Sequence, residues 1–115
     1  MNRDKVLKWV EALESGKYKQ GTGQLVQKNE EGKLEFCCLG VAYKVCRPNK
    51  KFLTGHGTLT AVDTKLAEEL GITVDDDISI QTELVALNDD DGKSFPWIAK
   101  WIRKNILKEK GIRLR

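Results

Sequence analysis

Apolar residues near the start of the chain recur at helical intervals. Val6, Leu7, Val10 and Leu13 fall at three- and four-residue steps, and Trp9 and Ala12 widen the stripe. That spacing predicts an amphipathic helix, because side chains three and four apart share a face. Asn2 or Asp4 is placed to cap its start, and Gly16 to end it. Two short strands follow, Gln24 to Lys28 and Lys33 to Cys37, joined through Asn29 to Gly32 as a hairpin. Two strands alone are marginal in water, so the hairpin must pack on helices or gain a third strand from elsewhere. Cys38 to Cys46 reads as a short buried helix with Leu39, Ala42 and Val45 on one face and Pro48 as its stop. A further helix runs to Leu70, capped by Asp63 or Thr60, with Leu66, Ala67 and Leu70 inside and Gly71 at its end. Ile80, Leu84 and Leu87 predict a helix over Ile80 to Leu87, although Ile78 and Ile80 also alternate as in a strand. Last comes the longest stripe, Trp97, Ile98, Trp101, Ile102 and Ile106, with Ser94 as cap, Pro96 in the first turn and Gly111 as terminator. The fold class expected is α+β: one small domain spanning 1–115, with four to five helices packed around one β-hairpin.

Length and composition agree with that picture. A chain of 115 residues, 40% hydrophobic and with three Trp, is long enough to bury a real core. Its longest apolar run, near Cys37 to Ala42, is far too short to span a bilayer. A charged, amphipathic start without an apolar secretion segment leads us to expect a protein that stays where it is made and avoids membranes. Three cysteines cannot all pair, and Cys37 and Cys38 are adjacent, which points to free thiols in a reducing cytosol.

The net charge of +3 conceals a split. Residues 100 to 115 hold seven Lys or Arg against one acid, a net of +6, while the remainder holds thirteen basic and sixteen acidic residues, a net of −3. Acids cluster at Asp75 to Asp77 and at Asp89 to Asp91. Such a layout permits an anionic partner at the basic end, but basic residues also favour a helix C-terminus for reasons of the helix dipole alone.

Candidate chemistry narrows from there. Asn88 to Gly92 resembles part of a calcium loop, but with Gly92 in the sixth position the first is Leu87 and the twelfth Ile98, neither of which can ligate. A polar turn between helices is expected instead. Three Cys and His56 match a zinc site in number and not in spacing, so no metal and no cofactor are expected. Cys38 at a helix start is a candidate nucleophile if His56 reaches it, yet no third orienting group is evident, and the expectation leans away from an enzyme. Lys17, Tyr18, Lys19, Gln20, Thr22 and the flanking glycines form a loop able to cradle an anion or to serve only as a tight turn. Trp9 or Tyr18 would stack on a base there. Lys100, Arg103, Lys104 and Lys108 form the alternative site, a basic face for nucleic acid or a host protein.

Four stretches together resemble one family: WVEALESGKYKQGTGQL from Trp9, FCCLGV from Phe36, LVALND from Leu84 and SFPWIAKWI from Ser94. The pattern is similar to a widespread family of small, uncharacterised phage and prophage proteins. This resemblance implies a virus-encoded protein working in the host bacterial cytoplasm, and it brings no catalytic mechanism. Positions matching the family's polar motif are Ser15, Tyr18, Gln20, Thr22, Cys38, Asn88, Asp89 and Ser94. The expected function is capture of a small anionic or nucleotide-like ligand, as in sequestering a host immune signal against anti-phage defence. Its site would comprise Trp9, Lys17, Tyr18, Lys19, Gln20, Thr22, Cys38, Asn88 and Asp89. Oligomeric state is not legible in the pattern.

Overall fold

The computed structural model describes residues 1–23, 25–47, 64–72 and 80–114. His56, the proposed caps Thr60 and Asp63, the Asp75 to Asp77 cluster, Pro48, Ile78 and Arg115 lie outside them. The order of elements is α1 (Arg3–Glu14), β1 (Val26–Lys28), β2 (Leu34–Phe36), α2 (Cys38–Cys46), α3 (Thr64–Glu69), α4 (Ile80–Asp89) and α5 (Phe95–Asn105). Among the described residues, five helices and one antiparallel hairpin make this an α+β fold.

The stripe of α1 is buried as its spacing requires, at Val6, Trp9, Val10 and Leu13. Each such side chain taken from water contributes roughly 1.5–3 kcal/mol, enough to fix which face turns inward. Asn2 caps the helix by accepting a hydrogen bond from the Lys5 backbone N–H at 3.2 Å. α1 packs against α2 and α5, and α4 against the same two helices. α3 adds Leu66 and Ala67 to the core, Leu70 follows just past its end, and the helix is tied to its neighbours by Glu69, whose carboxylate pairs with both Lys5 and Arg47.

The hairpin is shorter than expected, three residues a side, in the register Val26↔Phe36, Gln27↔Glu35 and Lys28↔Leu34. Its third strand is a fragment. The loop after α1 forms a single parallel bridge, Gln20↔Phe36, in which the Phe36 N–H donates to the Lys19 carbonyl and the Gly21 N–H to the Phe36 carbonyl, both at 2.7 Å. On the other side, α2 approaches the chain just before β1 so closely that a Cβ on Gly40 would lie 1.8 Å from the Leu25 carbonyl oxygen. Only glycine fits there.

α5 ends earlier than its pattern suggests. The helix stops at Asn105, with Ile106 as its C-cap, rather than running to Gly111. Ile106 and Leu107 are both buried at this end of the helix. There the chain turns: the Leu107 N–H donates to the Ile102 carbonyl at 3.0 Å and the Glu109 N–H to the Arg103 carbonyl at 2.9 Å. Lys108 adopts a left-handed backbone, φ 57°, and Gly111 another, φ 82°. Those two reversals shape a tail from Ile106 to Leu114. No helix among the described residues is long and apolar enough to cross a membrane.

Candidate functional site

Four of the motif's positions, Gln20, Cys38, Asn88 and Asp89, do meet, and the side chain at their centre is Asn88. It sits in the last turn of α4 and is 1% exposed. Its Oδ1 accepts from Gln20 Nε2 at 2.9 Å and from the Cys38 backbone N–H at 3.3 Å. Its Nδ2 donates to the Gly21 carbonyl at 2.9 Å and to Asp89 Oδ1 at 2.7 Å. An amide offers two acceptor and two donor positions, so Asn88 is filled. Gln20 Nε2 also donates to the Lys93 carbonyl at 2.7 Å, joining the loop after α1 to the turn before α5. This cluster welds the loop, the start of α2 and the end of α4 into one unit. Among the described residues no buried side-chain nitrogen or oxygen lacks a partner, so the weld holds no unsatisfied buried atom that calls for a ligand.

Other members of the expected ligand site lie around this weld in two ways. Trp9 is fully buried, and its Nε1–H donates to the Cys38 carbonyl at 2.8 Å. The expectation that it stacks on a base is corrected: its ring faces belong to the core, because the same stripe that makes α1 amphipathic turns it inward. Cys38 is likewise sealed, its Sγ 3.7 Å from the Leu84 carbonyl. Tyr18 is half-buried and packs edge-on to Phe36, ring centroids 5.3 Å apart at 85°. Lys17, Lys19 and Thr22 are exposed, and Lys19 Nζ lies 3.6 Å from Glu35. The loop's polar groups thus divide into those consumed by the weld and those facing solvent.

The thiols are poorly suited to nucleophilic work. Cys37, not Cys38, caps α2, its Sγ accepting from the Gly40 N–H at 3.4 Å. Burial pushes the Cys37 thiol up to about 11, and the nearby Asp89 carboxylate adds to the rise. Burial pushes the Cys38 thiol well up, reinforced by charge on Cys37 and Asp89. Desolvation overrides the helix-start effect that lowers a thiol's pKa elsewhere. No group of three His, Cys, Asp or Glu able to hold a metal occurs among the described residues. Asp89 to Gly92 is a polar turn: the Asp90 and Asp91 N–H groups both donate to the Ala86 carbonyl at 2.9 Å.

At the basic end the geometry differs. Lys100 on α5 and Gly111, Ile112 and Arg113 of the tail line an open recess of about 420 Å3. Lys100, Lys104, Lys108, Lys110 and Arg113 are exposed and form no ion pair among the described residues. Arg103 stands apart from them. Its Nε and Nη2 donate to the two carboxylate oxygens of Glu14 at 3.1 and 2.9 Å, and its Nη1 to Glu109 Oε2 at 2.9 Å. Those acids hold its pKa above the usual arginine value, Glu14 foremost. Of the two tryptophans beside the patch, Trp101 is buried, and half-buried Trp97 carries the Lys93 ammonium 4.7 Å above its ring. Charge counting located the basic patch, but not its recess or the pairing of Arg103. The recess and the Glu109 pair depend on the tail's reversal, and the Glu14 pair on the packing of α1 against α5, neither of which leaves a signal in composition.

A family model described as a domain of unknown function, DUF8296, matches residues 1–52. That stretch carries α1, the loop, the hairpin and α2, and stops short of Asn88 and the basic tail. No curated protein and no solved structure matches the chain.

Proposed function

We propose that this chain is a phage-encoded, non-enzymatic protein of the host bacterial cytoplasm that binds phosphate-bearing anions, nucleic acid foremost, on its basic C-terminal face. One observation carries the reading. Lys100 and Arg113 flank an open recess with no acid paired to them among the described residues, and Lys104 and Lys108 stand exposed on the same segment. Unpaired Lys and Arg displace counterions from a phosphate backbone, which is the main source of sequence-independent affinity. The loop from Lys17 to Gly23 supports the small-ligand form of the function less well, since Gln20 and Gly21 are committed to internal bonds. Should the ligand be a free nucleotide rather than a strand, the same face would serve to sequester a host signal.

Fluorescence anisotropy with single- and double-stranded oligonucleotides, beside a panel of linear and cyclic nucleotides, tests this across a range of salt. Three or four phosphate contacts give a log–log salt slope of about −2 to −3 on single strands. Lys104→Glu with Lys108→Glu is expected to weaken binding sharply. Unchanged affinity in that double variant rejects the face. Affinity lost instead in Lys17→Glu with Lys19→Glu moves the site to the loop, and no binding of any probe overturns the reading altogether.

A further inference from the structure

We infer that the recess beside Lys100 is a preassembled seat for one phosphate group, and that Arg103 is a positioning residue that builds this seat through Glu109 rather than a contact to the ligand. The inference rests on the anion-binding reading above and assigns the site its chemistry.

Consider first what Arg103 has left to offer. A guanidinium binds carboxylate or phosphate through paired N–H groups, and its best fork is already laid bidentately on Glu14. Its third nitrogen holds Glu109. Turning to a phosphate would break one of these charge-assisted pairs and strand a carboxylate beside the incoming anion. Lys100 and Arg113 carry no such obligation among the described residues.

Next consider what the Glu109 contact does. Glu109 is held twice by the same residue, through its backbone N–H to the Arg103 carbonyl and through its carboxylate to the Arg103 side chain, both at 2.9 Å. The residue before it, Lys108, sits in a left-handed conformation that is uncommon for a residue other than glycine. Gly111 then reverses the chain again. Together these bonds return Gly111, Ile112 and Arg113 to the level of Lys100, one helical turn and more before the end of α5. A fork-shaped guanidinium and a point-charge ammonium across an open recess, with apolar Ile112 on its wall, suit a phosphate whose attached sugar rests on the apolar side.

The sign of one substitution separates this from simple electrostatics. Glu14 and Glu109 are negative charges near an anion site, so neutralising either should tighten binding if charge alone matters. A positioning role requires the reverse. In anisotropy with a 5′-phosphorylated single strand, Glu109→Gln and Glu14→Gln are expected to weaken binding by about three- to tenfold, the scale of one part-exposed ion pair, with the salt slope unchanged. Lys100→Gln and Arg113→Gln should weaken binding and also flatten the slope by about 0.7 each, as removal of a true phosphate contact does. Tighter binding in Glu109→Gln, or an unaltered slope in both Lys100→Gln and Arg113→Gln, overturns the inference. If the native chain binds no strand, the anion reading fails on its own, and the clamp is still judged by trypsin. Faster cleavage after Lys108 and Lys110 in folded Glu109→Gln supports it, and an unchanged rate refutes it.

Discussion

Replacing Asn88 with Ala removes the amide on which the loop after α1, the start of α2 and the end of α4 converge. Four hydrogen bonds go with it, and their loss is unequal. Gln20 keeps its bond to the Lys93 carbonyl and is half-exposed, so water replaces part of what it loses. Asp89 is half-exposed too. The Cys38 N–H and the Gly21 carbonyl belong to buried residues, and Asn88 is their partner in the weld. An orphaned buried backbone group costs about 1–3 kcal/mol, so the variant should lose roughly 2–5 kcal/mol in all. For a chain of this size that corresponds to a fall in Tm on the order of 10–20 °C. Gln20→Ala leaves both buried groups satisfied by Asn88 and should cost only about 1 kcal/mol. Urea titration of the two variants, followed by tryptophan fluorescence, checks the ordering. If Asn88→Ala came within about 1 kcal/mol of the native chain, water would already be reaching those groups. The weld would then be an open polar cavity, and the case for a ligand there would revive.

Gly40→Ala places a Cβ 1.8 Å from the Leu25 carbonyl oxygen, and neither backbone can retreat cheaply. A loss of about 3 kcal/mol or more is expected in thermal unfolding, since overpacking against backbone is relieved only by moving an element. Trp9→Phe keeps an aromatic ring but loses the indole N–H bond to the Cys38 carbonyl and empties part of a fully buried site, for which about 1–3 kcal/mol of lost stability by urea denaturation is expected. Stability should also fall at high pH. Cys37 ionises near the ordinary value of 9.0 when unfolded but only at about 11 when folded. Its contribution is therefore intact below pH 9 and is lost progressively as pH rises to about 11, by at most roughly 2–3 kcal/mol. Denaturation midpoints flat from pH 8 to pH 11 would contradict this. Native-state thiol labelling at pH 8 should likewise find half-buried Cys46 faster than Cys37 or Cys38.

Local pattern determined much of this protein. The apolar stripes of α1 and α5 specify helices and their inward faces without help from elsewhere, since a 3.6-residue period admits one buried side. Their caps were equally readable. Asn2 and Ser94 each accept a backbone N–H three residues on, an arrangement that depends on nothing beyond a single turn. The hairpin and its turn belong to the same class, as does the basic charge of the last sixteen residues. Tertiary structure decided everything that relies on distant partners. Gln20 and Asn88 lie 68 residues apart, and whether they shape a pocket or close a joint is a question of packing. The stripe of α1 turned Trp9 inward, but its partner there, the Cys38 carbonyl 29 residues on, was set by packing. The end of α5 was settled in the same way. The chain leaves the helix after Asn105 through bonds from the Leu107 and Glu109 N–H groups back to Ile102 and Arg103, and Arg103 found acids on α1 and in the tail that charge counting alone could not assign to it. Periodicity fixes which side of an element is dry, whereas the neighbours met there are set by the path of the whole chain.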